Sequence, residues 1–351
     1  MGCRTGVPVN RAESAIIDFT ESAYDLSAGD DDWLRKLLER GLPVLERGLG
    51  VAGYEYVRPI HDDPVELRNV YVASGPKDFA ERHLQALSTT DPEVLRRQLR
   101  PGSAQTGSED VRNRGTSEEL EHYISYVDYC KDVLYITAVD PAGAGVAIVA
   151  PLAEVTTLSR VESERWKMMA AHVTAGHRVR HRLTKEAHHA ESGTDLPHDA
   201  EAVVDPKSFR VVEAVGEARE STTKTSLRES AVTVDRARGK LRKSDPNAAL
   251  ETWQALVRGR WSMIDWFDTD GRRVVLAIPN APKVNDPRGL SKRESQVVTY
   301  AGFGDTNKMI GYRLGLSLPR VSLHLRYAMR KLGVRTRAQL VTHMRAFRSL
   351  H

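Results

Sequence analysis

The chain has 351 residues, 40% hydrophobic and 28% charged, with a net charge of +4, which is length enough for two or three domains with real cores. No run approaches the roughly 18–20 apolar residues of a membrane span, and the first residues lack the apolar stretch of a secretory signal. Two cysteines, Cys3 and Cys130, make no disulfide framework, so the expectation is a protein of the reducing cytoplasm.

The charge is unevenly placed. Residues 289–351 carry twelve Lys and Arg against Glu294 and Asp305, a net of +10, which leaves −6 for the rest. A small basic module following a larger acidic body is the electrostatic pattern of a polyanion-binding domain on a different partner domain.

In chain order, "MGCRTG" has Gly6 where a myristoylation signal needs Ser or Thr, so no lipid anchor is expected. The stretch 30–48, "DDDWLRKLLERGLPVLERG", predicts a helix with Trp33, Leu34, Leu37 and Leu38 on one side and a break near Pro43. "GVAGYEYVRP" (50–59) and "LRNVYVAS" (67–74) read as strands rich in Val and Tyr. The polar stretch 101–117 reads as loop, and 118–130 as a helix. "DVLYITAVD" and "GVAIVAPLAEV" flank "PAGAG" as a hairpin, and a long helix follows over 158–185. Through that hairpin and closing helix, 30–185 resembles a GAF domain. Residues 186–200 read as a linker. A hairpin over 201–216, helices over 219–258 split around Ser244–Asn247, and a hairpin over 260–280 together resemble a PAS-like module. Residues 281–289 are the next linker.

The last segment is the most regular. Gly304, Gly315 and Gly333 each precede a capping residue, Thr306, Ser317 and Thr336, as a left-handed helix stop is followed by a new N-cap. Ser291 and Glu294 have capping-box spacing. Four helices are predicted at 292–302, 306–314, 318–332 and 336–347. Their apolar faces are Val297, Val298 and Ala301; Ile310 and Leu314; Val321, Leu325, Ala328 and Leu332; and Leu340 and Val341. The three-residue joint between the second and third helices forces a steep crossing, a helix-turn-helix.

"LSKRE", "TNKMI", "LGLS", Val321–His324 and "KLGVRTRAQL" resemble, in register, the DNA-binding domain of the LuxR/NarL (GerE-like) transcription regulators. Region four of bacterial sigma factors shares the first three helices, but the fourth helix favours the LuxR/NarL type. With the apolar face packed inward, Arg320, Leu323, Arg326, Tyr327 and Arg330 lie outward. The resemblance implies base reading by Ser322, Leu323 and Arg326 in the major groove, with Arg326 suited to guanine and Leu323 to a thymine methyl. Many relatives carry Lys where this chain has Ser322. Backbone contacts are expected from Thr306, Asn307, Lys308, Arg320, His324, Arg330, Lys331 and Arg335.

The expected architecture is therefore α+β and multidomain. A GAF-like sensory domain (1–185), a linker (186–200), a PAS-like module (201–280) and a linker (281–289) precede an all-α, four-helix LuxR-type domain (290–351). The expected partner is double-stranded DNA, met as a homodimer built with the 158–185 helix. RNA polymerase and an unknown small-molecule ligand are further candidate partners. No cofactor is expected. The alternatives are a sigma-like promoter-recognition protein, or a small-molecule sensor whose basic domain only tethers it.

Other constellations point away from chemistry. His172, His177, His181, His188 and His189 cluster on the long helix and linker, but only His177 and His181 have ligand spacing and nothing joins them; exposed linker histidines are expected. "HDD" (61–63) and "GDDDW" (29–33) read as acidic caps rather than metal sites. "GAGVAI" lacks the Lys-Ser/Thr of a P-loop, and Cys130 has no visible base and reads as buried packing. No catalytic set is found in 1–280, so an enzyme is not expected. Nor is control by aspartyl phosphorylation: no early acidic pair, central Asp and late Lys fall on a repeated strand–helix frame.

Overall fold

The computed structural model describes residues 9–57, 65–99, 104–187, 195–284 and 289–349. Cys3, His61–Asp63, His188 and His189 lie outside them. The chain forms two compact units, one of 1–139 with 143–174, the other of 140–142 with 175–351.

The first unit opens with α1 (Val9–Ser22) and α2 (Asp30–Leu45), packed on each other, with α2 also against the sheet. Trp33, Leu34, Leu37 and Leu38 of α2 are buried, as expected. Pro43 sits inside the helix, which ends two residues later rather than breaking at the ring. Strands β1 (Val51–Val57) and β2 (Glu66–Ser74) precede α3 (Phe79–Thr89) and α4 (Pro92–Gln98). The region read as loop contains β3 (Ala104–Thr106) and α5 (Gly107–Arg114). Helix α5 starts at a capping box between Thr106 and Glu109 and stops at left-handed Gly115, a signal present in the sequence and hidden by the surrounding polarity. Helix α6 (Glu118–Tyr126), β4 (Asp132–Val139) and β5 (Ala144–Leu152) complete an antiparallel sheet of order β2-β1-β5-β4-β3. All but one residue of β4 and of β5 are buried, so these strands read as continuous apolar runs instead of alternating ones.

Helix α7 (Arg160–Ala187) belongs to the first unit as far as Thr174 and to the second from Ala175. Nearly every residue from Trp166 to Arg180 is buried, which corrects the expectation of exposed histidines. His172 Nδ1 lies 2.9 Å from the Tyr24 hydroxyl. The His177 and His181 rings stack with centroids 6.0 Å apart. Among the described residues no cluster of His, Cys, Asp or Glu is arranged to hold a metal.

The second unit continues with β6 (Ala202–Val204), β7 (Val211–Ala214), α8 (Ser221–Arg236), a wide π turn at Ala237–Leu241, α9 (Arg242–Ser244), α10 (Pro246–Thr252), β8 (Trp261–Phe267) and β9 (Arg273–Pro279). The sheet is antiparallel, in the order β7-β6-β9-β8. Helix α8 buries Thr223, Leu227, Ala231 and Val234 and packs on the sheet. The predicted break falls at Asp245, whose carboxylate caps α10 through the Ala248 N–H at 2.9 Å. Four helices close the unit: α11 (Lys292–Gly302), α12 (Asn307–Leu314), α13 (Leu318–Lys331) and α14 (Arg337–Ser349). These match the four predicted helices to within two residues at each end. Among the described residues no helix is long and apolar enough to cross a membrane.

Candidate nucleic-acid interface

The last four helices share one core. Val297, Val298, Ala301, Ile310, Leu314, Val321, Leu325, Ala328 and Leu340 are all buried in it, with Leu332 packed against its edge. Tyr300, Leu316 and Met344 join them, as does Leu256 from outside the four helices. Val341 is only partly buried and stands outside this cluster.

The stops and starts come from the marked residues. Gly304, Gly315 and Gly333 have φ of 90°, 61° and 67°. Ser291 and Glu294 form both arms of a capping box. The Thr306 hydroxyl accepts from the Met309 N–H at 3.2 Å. Thr336 and Gln339 cap each other reciprocally, the Gln339 N–H donating to the Thr336 hydroxyl at 3.1 Å and the Thr336 N–H to the Gln339 amide oxygen at 3.1 Å. Ser317 departs from the pattern: it holds the N-cap backbone conformation, but its hydroxyl makes no capping bond to α13.

Beneath the surface, Asp305 and Arg313 form an ion pair at 2.7 Å with both side chains only 5% exposed. The Arg313 guanidinium also lies 5.5 Å from the Tyr300 ring centroid. This pair fixes the α11–α12 turn, and Arg337 donates to the Asp305 carbonyl oxygen from α14. Arg337 also donates to the Asn307 amide oxygen at 2.8 Å, and the Asn307 amide nitrogen lies 3.4 Å from the Ser322 hydroxyl. Arg337 was not among the sequence candidates; a brace of this kind needs contacts from three helices and leaves no local signature.

Across this frame, α13 presents Arg320, Ser322, Leu323, Arg326, Tyr327 and Arg330 to solvent while Val321, Leu325 and Ala328 face inward. The three base-reading candidates therefore share one exposed face. Among the described residues Arg320, Arg326, Arg330 and Arg335 form no ion pair, and Arg330 lies over the Tyr327 ring at 5.3 Å. Two other candidates are engaged. Lys308 pairs with Glu251 of α10 at 3.1 Å, and Lys331 pairs with buried Glu294 at 2.7 Å. His324 is half-buried; desolvation, opposed by Glu294 and aided by Arg293 and Arg320, holds its imidazole below the ordinary 6.5.

The helix-turn-helix is seated on the preceding module within the second unit. The Tyr312 hydroxyl donates to the Leu250 carbonyl oxygen at 2.7 Å. Arg293 donates to the Gly259 carbonyl oxygen at 2.8 Å. Gly315 packs directly on the Leu256 carbonyl, with no room for a Cβ. Opposite it, Arg258 and Gly259 are consecutive left-handed residues at φ of 49° and 63°.

Burial alone would raise the Glu294 carboxyl, but the Lys331 ammonium and the Ser291 N–H and hydroxyl outweigh it and hold the group below its ordinary 4.5. A carboxylate with a depressed folded pKa stabilises the fold above its unfolded value and loses that contribution as pH falls through the folded one. Glu294→Gln is therefore expected to lower stability by about 1 kcal/mol at neutral pH. The deficit should shrink as pH falls below about 4.5, measured by denaturant unfolding across pH.

Elsewhere, Cys130 is buried, and burial pushes its thiol up to about 11, which disfavours a nucleophilic role.

Residues 288–344 match the family described as bacterial regulatory proteins, luxR family. No curated protein matched the chain.

Proposed function

For a chain whose residues 288–344 are a LuxR-family helix-turn-helix domain, we propose the role of a one-component, sequence-specific regulator of bacterial transcription. The carrying observation is the exposed α13 face, where Ser322, Leu323 and Arg326 stand together above a packed core. Ser322 and Leu323 meet base edges, and Arg326 pairs bidentately with guanine. Thr306, Asn307, Arg320, His324, Arg330 and Arg335 hold the sugar-phosphate backbone, and Lys308 and Lys331 join them while still oriented by Glu251 and Glu294.

The two α+β bodies upstream act as GAF-like and PAS-like sensory modules for a small-molecule signal. The chain works as a homodimer, because one recognition helix reads only a few base pairs and paired half-sites multiply the discrimination. RNA polymerase is the partner through which bound protein alters transcription. The reaction carried out is binding, without catalysis.

Arg326→Ala is expected to relax sequence preference and cost roughly 1–3 kcal/mol at the preferred site. Arg335→Ala is expected to weaken binding to all sequences alike and to reduce the slope of log K against log salt by about 0.9. Fluorescence anisotropy with the full chain on duplexes recovered by selection measures both. If both variants bind as the parent does, this docking mode is wrong.

A further inference from the structure

Outside the four-helix domain the chain is net acidic, yet residues 236–243, "RARGKLRK", hold five cations and no acid. Arg238 is consumed by Asp265 at 2.6 Å and by the Trp253 ring. Arg236, Lys240 and Lys243 are exposed. Going back along α8, Lys224, Arg228 and Arg236 recur on the four-residue step with exposed Val232 between them, so they form one stripe along the helix. Among the described residues none of Lys224, Arg228, Arg236, Lys240 and Lys243 has an ion-pair partner. The neighbouring acids are otherwise engaged. Asp235 pairs with Arg273, Asp245 caps α10 and Glu251 pairs with Lys308. The exposed acid left on α8 is Glu229.

This layer is fastened to both ends of α12. At one end α10, about 10 Å long for its seven residues, carries Glu251 to Lys308 at the start of α12. At the other, Arg258 donates to the Thr223 hydroxyl at 2.6 Å and its backbone lies against Gly315, which ends α12. The start of α12 and the turn into α13 are the points where a helix-turn-helix approaches the duplex backbone. The basic stripe is thus tied through direct contacts to both ends of α12, the helix that precedes the reading helix.

We infer that the α8–α9 stripe is a second DNA-binding surface, which grips phosphates flanking the half-site read by α13. This rests on the helix-turn-helix reading DNA. Exposed unpaired Lys and Arg on a rigidly attached body suit the sequence-independent part of binding, in which each neutralised phosphate releases counterions. The footprint is then longer than the four-helix domain alone would give.

The test compares the full chain with a variant carrying Lys224→Gln, Arg228→Gln, Arg236→Gln, Lys240→Gln and Lys243→Gln. The probes are a long duplex with the selected site at its centre and a duplex cut to one half-site of it. On the long duplex the salt slope should become shallower by about 4.5, at about 0.9 for each of the five lost contacts. Hydroxyl-radical protection should vanish from the flank and persist at the centre, and on the short duplex the two proteins should match. A variant exchanging Lys for Arg and Arg for Lys at the same positions should keep the parental slope, and matching thermal melts show that all three proteins are folded. Equal slopes and equal flanking protection in parent and Gln variant overturn the proposal. So does a Gln variant with unchanged DNA binding that no longer captures RNA polymerase core, which assigns the stripe to a protein. A parent that binds neither duplex removes the helix-turn-helix reading and this one together, a result distinct from the other two.

Discussion

Gly315→Ala is expected to destabilise the second unit by roughly 3 kcal/mol or more. Two costs combine at one position. The residue sits at φ 61°, where a Cβ costs about 1–2 kcal/mol. A methyl there also falls onto the Leu256 carbonyl, a backbone atom that cannot rotate away, and overpacking of this kind costs about 1–3 kcal/mol. Gly333→Ala supplies the control: its φ of 67° is nearly the same, and nothing lies within 4 Å of the added Cβ. The difference between the two variants, from denaturant midpoints of the full chain, isolates the seat on Leu256. Faster hydrogen exchange across 250–259 in the Gly315 variant should accompany it. Equal losses at both glycines would mean that the seat contributes nothing.

Asp305→Ala is expected to be the most damaging side-chain truncation in the reading head, at about 3–5 kcal/mol. The pair is almost fully excluded from water, so removing the carboxylate leaves the Arg313 guanidinium buried without its counter-charge. The Tyr300 ring offsets little of this, because a cation–π contact contributes only about 1–2 kcal/mol. Asp305→Ala with Arg313→Met should recover most of the loss, since replacing both partners removes the uncompensated charge. A double variant no more stable than Asp305→Ala alone would contradict this account. DNA binding should fall with stability, because the same turn carries Thr306 and the Arg337 brace on Asn307.

The reading head was the most legible part of the sequence, and the reason is physical. Its helices are bounded by glycines that adopt left-handed backbone and by Ser and Thr caps, and its core recurs every three or four residues, so boundaries and faces are both written locally. The hairpins β4–β5 and β8–β9 were legible through their β-branched runs on either side of a turn. Helices α1, α3 and α4 were missed, as was the β3–α5 pair, whose three-residue strand exists only through pairing with β4. The burial of His172 and His177 was also invisible, since it depends on packing around α7 and not on anything in α7 itself. At the interface, periodicity placed the exposed face of α13 correctly. What it did not contain was the occupation of Lys308 and Lys331 by carboxylates 57 and 37 residues away.

Leu256 is buried in the core of the four helices, yet it lies more than thirty positions before the family match begins at residue 288. The reading head is thus not fully portable. Excised at its family boundaries, or grafted onto another regulator, it would carry an unfilled notch beside Gly315 and a Tyr312 hydroxyl without its Leu250 acceptor. Chimeras built from this chain should therefore be cut upstream of α10, so that the plug travels with the socket.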